Sequence, residues 1–124
     1  MRTELTRDSV AMGDDVSAPH AERREFPDGI GVRDAVVSVL ADGYLATVQG
    51  GRATWIVVAA DRTRLAVVAQ QWAAPRLLPA AGQGPLARFT DRDGVVRLHF
   101  DYRQQTNPEA EFERLSATGA RADG

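Results

Sequence analysis

The chain of 124 residues has no cysteine and no lysine, and it has only two histidines. Without cysteine there are no disulfides, thiolate nucleophiles, iron–sulfur ligands or cysteine zinc sites. Without lysine there is no Schiff-base chemistry and no P-loop lysine. All fifteen cationic residues are therefore arginine, and with so much alanine, valine, aspartate and glycine this is the usage of a GC-rich bacterial genome. Long apolar runs are missing as well. The longest, Trp55 to Ala60, has six residues, against about 18 for a membrane-spanning helix. No apolar stretch follows the mixed-charge start Met1 to Asp8, so no secretory leader is expected and the cytoplasm is the expected location. A net charge of −2 and a pI near 5.6 give no general attraction to nucleic acid or to an anionic membrane, and neither is expected as a partner.

What is present suits one small domain. Met1 to about Arg24 shows no apolar period and reads as a flexible tail, dispensable for folding. The last residues, 117–124, read as a second tail, which leaves a single domain over 25–116. Pro27-Asp28-Gly29 is a turn signal. Beyond it Val32, Val36, Val37 and Leu40 recur near helical spacing, and Gly43 suits the left-handed position after a last turn, so a helix is expected from Val32 to Asp42.

After Gly43 the period becomes two. Strands are expected at Tyr44–Gln49, Arg52–Ala60 and Leu65–Trp72, joined by a Gly50-Gly51 hairpin turn and by a turn over Asp61 to Arg64. Pairing assigns Leu45, Thr47, Ile56, Val58, Leu65, Val67 and Ala69 to one face. It assigns Tyr44, Ala46, Val48, Trp55, Val57, Val68, Gln70 and Trp72 to the other. Both faces are apolar, which requires cover on both sides or a partner on one. Pro75 to Pro85 is a proline- and glycine-bounded loop with a short edge piece at Arg76-Leu77-Leu78. Two further strands, Leu86–Thr90 and Val95–Tyr102, alternate cleanly, and Asn107 with Pro108 starts a C-terminal helix carrying Phe112 and Leu115. The expected class is α+β, an antiparallel sheet of five or six strands with one helix before the central meander and one after it. The sixth strand would lie near Arg24–Phe26.

Two constellations are candidates for function. Arg88, Arg97, His99, Asp101 and Arg103 share the polar face of the second hairpin. A histidine beside a carboxylate can serve as a general base, and guanidinium groups can hold an anion, though the same alternation also serves solvation and cross-strand pairing. Tyr44, Trp55, Gln70 and Trp72 share a sheet face next to the Arg76-Leu77-Leu78 edge, a composition found both in cores and in interface hot spots. His20 lies in the tail, and the spacing of a histidine metal site is missing, so neither metal nor cofactor is expected. None of Ser9, Ser17, Ser38 and Ser116 stands in a nucleophile elbow. The preferred expectation is a non-catalytic protein-interaction or regulatory module, such as a toxin-neutralising or accessory protein, with a protein partner or a second copy of itself. The alternative is a small-molecule-binding domain or minor enzyme on the Arg/His/Asp face.

Overall fold

Val32, Ala35, Val36 and Val39 form one buried stripe along α1 (Val32–Ala41), the i, i+3, i+4, i+7 spacing of a helix that packs on one side. The computed structural model describes residues 1–8, 21–45, 53–104 and 106–119. Gly31 precedes α1 in extended conformation, and the Ala35 N–H donates to its carbonyl at 3.1 Å. At the other end Gly43 takes φ +73°, which an L side chain rarely adopts, and its N–H closes on the Leu40 carbonyl at 3.0 Å. Val37, expected on the packed side, is instead exposed, and Ala35 and Val39 take its place.

The fold is α+β, a six-stranded, mostly antiparallel sheet with two helices. Its strands are β1 (Arg2–Arg7), β2 (Glu22–Glu25), β3 (Thr54–Ala59), β4 (Arg64–Ala69), β5 (Arg76–Leu77) and β6 (Val95–Tyr102), in the spatial order β2-β1-β6-β3-β4-β5. No described helix is long and apolar enough to cross a membrane.

The largest correction concerns the expected tail over residues 1–24. Its first residues are β1, an interior strand, antiparallel to β2 and parallel to β6. Thr3 and Leu5 point into the core and are fully buried, while Arg2, Glu4 and Thr6 point the other way. This alternation has only one large aliphatic residue, too weak to register as a strand. The partner supplies the rest, because β6 offers eight residues with Val96, Leu98 and Phe100 beside Thr3, Leu5 and Arg7. The sixth strand begins two residues earlier than expected, at Glu22. Expected tail residues at the other end also turn out ordered, since α2 (Pro108–Gly119) continues past 116.

One face of the sheet, here the inner face, packs Trp55, Val57, Ala59, Val96, Leu98, Phe100 and Leu5 against α1. Each aliphatic or aromatic side chain removed from water there contributes about 1.5–3 kcal/mol. On the outer face Ile56 and Val67 meet Leu78 and Leu115, with Val58, Trp72 and Phe112 at the margin. Among the described residues three face assignments change, the first being Leu45, which packs against the inner cluster rather than with Ile56. The β3–β4 register shifts between Val57 and Val58, so Val57 opposes Ala66 but Val58 opposes Arg64, and the extra residue Leu65 goes to the inner core. β4 ends at Ala69, three residues early, and the Trp72 N–H bonds back to the Ala69 carbonyl at 3.0 Å, a turn that places Trp72 with the outer cluster rather than beside Trp55.

The expected strand at Leu86–Thr90 is a 3-10 turn over Leu86–Phe89, with only Thr90 bridging to Val96. Proline at 85 and the buried Leu86, whose N–H donates to the Ile30 carbonyl at 2.8 Å, bind this segment to the start of α1. At α2 the Asn107 side-chain oxygen accepts from the N–H groups of Glu109 (2.9 Å) and Ala110 (3.1 Å), the expected cap. Leu115 is buried and Phe112 half-buried against β4 and the turn Pro79–Ala81. The expected strand Tyr44–Gln49 and its Gly50-Gly51 turn fall almost wholly outside the described residues.

Candidate functional site

Parallel pairing of β1 with β6 sets Thr6 opposite His99 on the outer face. The Thr6 hydroxyl oxygen lies 2.8 Å from His99 Nδ1. One step beyond β1, Asp8 continues the ladder with its N–H on the Phe100 carbonyl at 3.1 Å. That bond turns its carboxylate along the sheet face. Asp8 Oδ1 is 2.9 Å from His99 Nε2, and Oδ2 accepts from the Tyr102 N–H at 2.9 Å. Asp101, on β6 two residues after His99, completes the group, and its Oδ2 lies 3.7 Å from Arg103 Nη1. The His99 and Asp8 side chains are each about 40 % exposed, at 41 % and 40 %, so the array is open to solvent yet partly shielded.

Neighbouring carboxyls cannot ionise independently. Partial burial works to raise Asp8, but the Tyr102 N–H, hydrogen bonds from Asp101 and His99, and the charge of the ring together hold it below the ordinary carboxylate value. Asp101 moves the other way. Burial raises it first, the hydrogen bond to Asp8 and the charge of Asp8 add to this, and Arg103 and His99 offset only part. Asp101 is therefore the carboxyl of the two that keeps its proton to higher pH. His99 joins Asp8 to Thr6, with Nε2 facing Asp8 Oδ1 and Nδ1 facing the Thr6 hydroxyl, and its tautomer decides which side donates. The result is a chain of hydroxyl, imidazole and carboxylate able to accept or hold a proton.

Of the five residues expected on this face, His99, Asp101 and Arg103 come together. Arg97 shares the face but is committed elsewhere, to Asp91 at 2.7 Å, Glu4 at 2.5 Å and Asp93 at 3.7 Å. Arg88 is not on a strand. It folds back over the Phe89 ring at 4.9 Å and donates to the Ala81 carbonyl, lying so close to Gly82 and Gly84 that a Cβ on either would be within 2.8 Å of its side chain.

No protein family, curated protein or solved structure matches this chain. The site is accordingly read from its own atoms. Thr6 and Asp8 are the members of this candidate site that the sequence does not point to, because they lie in the segment that reads as a tail. The available signal was the alternation Arg2-Thr3-Glu4-Leu5-Thr6.

The second constellation is dispersed. Trp55, 1 % exposed, is core and packs on Tyr102 with ring centroids 4.9 Å apart. Tyr44 stands edge-on to Phe100 at 5.8 Å, and burial pushes its hydroxyl up to about 12. Gln70 accepts from the Ala53 N–H at 3.2 Å, next to the Gln70 N–H bond to the Ala53 carbonyl. Trp72 lies on the opposite face from Trp55, beneath the Arg76 guanidinium at 4.0 Å. Leu77 is half-buried and Leu78 buried.

Proposed function

We propose that this chain is a binding domain for a small polar ligand, taken at Thr6, Asp8, His99 and Asp101 on the outer face of the sheet. The observation that carries the reading is the convergence of these four groups, from two strands paired in parallel, on a half-exposed position. Rigid strands hold the donors and acceptors in place, the arrangement that specific polar recognition needs. The test is a thermal-shift panel of ZnCl2, inorganic phosphate, citrate and a nucleoside monophosphate on the full chain, run beside His99→Ala and Asp101→Asn. At least one member is expected to raise the melting temperature of the parent chain and of neither variant. Equal responses in all three proteins overturn the reading.

A second reading, a protein-interaction module, keeps one specific support. Arg76 stacks on Trp72 at the β5 edge, an aromatic and arginine pair of the kind that anchors interfaces. It loses Trp55, which is buried. Sedimentation of the parent chain and of Trp72→Ala, alone and across a concentration series, tests self-association through this edge.

A further inference from the structure

We propose that Asp8, His99 and Asp101 bind one first-row divalent transition cation of the Zn2+ type. This inference rests on the ligand-binding reading above and names its ligand. One donor atom from each of the three side chains lies within 4.8 Å of the other two. Around a cation at 2.0–2.2 Å, tetrahedral ligand atoms stand roughly 3.4 Å apart, so modest side-chain rotation closes the set.

Two contacts from outside the donor set orient it. Thr6 Oγ1 lies 2.8 Å from His99 Nδ1. A ring that donates Nδ1–H to this hydroxyl turns the Nε2 lone pair toward the carboxylates, as metal-ligating histidines do through a hydrogen bond at their far nitrogen. The Tyr102 N–H occupies Asp8 Oδ2 at 2.9 Å and leaves Oδ1, the oxygen facing Nε2, as the ligand atom. Each partner fixes a ligand at the atom the cation does not use. An acidic cluster on a surface has no need of either contact.

Donor chemistry selects the ion. An imidazole nitrogen with two carboxylates suits Zn2+, Co2+ or Mn2+, whereas Mg2+ and Ca2+ prefer sets made wholly of oxygen. Three protein ligands leave at least one position for water or a second molecule, and the exposed side of the site is where it would enter.

The experiment is calorimetric titration of the full chain with ZnCl2 at neutral pH, with the His99 ring nitrogens followed by NMR. Expected are 1:1 binding, a large change at His99 Nε2, and no response to the same concentration of MgCl2. His99→Ala and Asp101→Asn should each weaken binding at least 30-fold. Thr6→Val keeps all three donors and should weaken it about tenfold by freeing the ring, a readout that survives if the ligand variants misfold. Failure of Zn2+, Co2+ and Mn2+ to bind overturns the proposal, as does Zn2+ binding that His99→Ala leaves unchanged. If the cations fail while phosphate, citrate or the nucleotide still acts through His99, the cation is wrong and the binding site stands. If nothing in the panel acts, both fall.

Discussion

The outer face of the sheet has two halves that differ in character though the strands run continuously beneath them. Over β3 and β4, Ile56 and Val67 are buried by Leu78 and Leu115. Over β1 and β6, the same face carries Glu4, Thr6, Arg97, His99 and Asp101. Register joins the halves directly, since Ile56 opposes Asp101 and Val58 opposes His99. A sheet face is thus apolar only as far as its cover reaches, and the polar array begins where α2 stops. The boundary suits a site, because Val58 and Ile56 shield His99 and Asp101 from one side while the other stays wet. Partial shielding of this sort strengthens electrostatic contacts without removing access.

Substitutions on either side of the boundary sharpen the contrast. Ile56→Ala in the covered half should cost about 2–3 kcal/mol, the lower part of the range for emptying a core position, because its neighbours Val58, Trp72 and Phe112 can close in. Glu4→Ala in the open half should cost about 0.5 kcal/mol, as expected for a solvent-screened pair with Arg97. Urea unfolding of both variants checks the difference, and equal losses would erase the distinction between the halves.

Beneath the open half, Thr3 is fully buried on the inner side of β1 and its hydroxyl has no hydrogen-bond partner among the described residues. Thr3→Val removes a desolvated hydroxyl at nearly constant shape, and a gain of about 1 kcal/mol is expected in the same urea experiment. A loss would show that the hydroxyl is satisfied in solution.

The smallest effect concerns acid. Asp91 is held below its ordinary value of 3.8 by the Arg97 guanidinium first, then by the N–H groups of Val95 and Asp93. A carboxylate whose folded value is depressed stabilises the fold fully above its unfolded value, and the contribution disappears as pH falls through the folded one. Arg97→Gln should therefore lower stability slightly at neutral pH, where the Asp91 contribution is lost, and flatten the acid limb below about pH 4 so that the two profiles converge there. An unaltered acid limb would remove Arg97 as the cause.

Legibility in the sequence followed the strength of local periodicity. α1, β3, β6 and the Asn107 cap were visible because each has apolar spacing or a capping residue that acts within a few positions. β1 was not, since Leu5 alone carries its inner side and its stability comes from β6, more than ninety positions away in the chain. The site divided along the same line. His99 and Asp101 could be read from one strand, but Thr6 and Asp8 reach them only through a parallel pairing that no local pattern announces. Trp72 was misplaced for a related reason, because the strand that would have carried it beside Trp55 ends at Ala69.

The edge strand β2 has a further consequence for how copies of the protein meet one another. Its sequence, Glu22-Arg23-Arg24-Glu25, reads the same in both directions. Two such strands laid antiparallel in full register would set Glu22 against Glu25 and Arg23 against Arg24, like charge against like at every position, an arrangement that disfavours pairing. Slipping by one residue brings opposite charges together but shortens the ladder and still leaves an arginine facing its own copy. At the far edge, β5 is two residues long and is bracketed by Pro75 and Pro79. Charge symmetry at one edge and brevity at the other resist edge-to-edge growth into fibrils, which favours solubility when the protein is crowded.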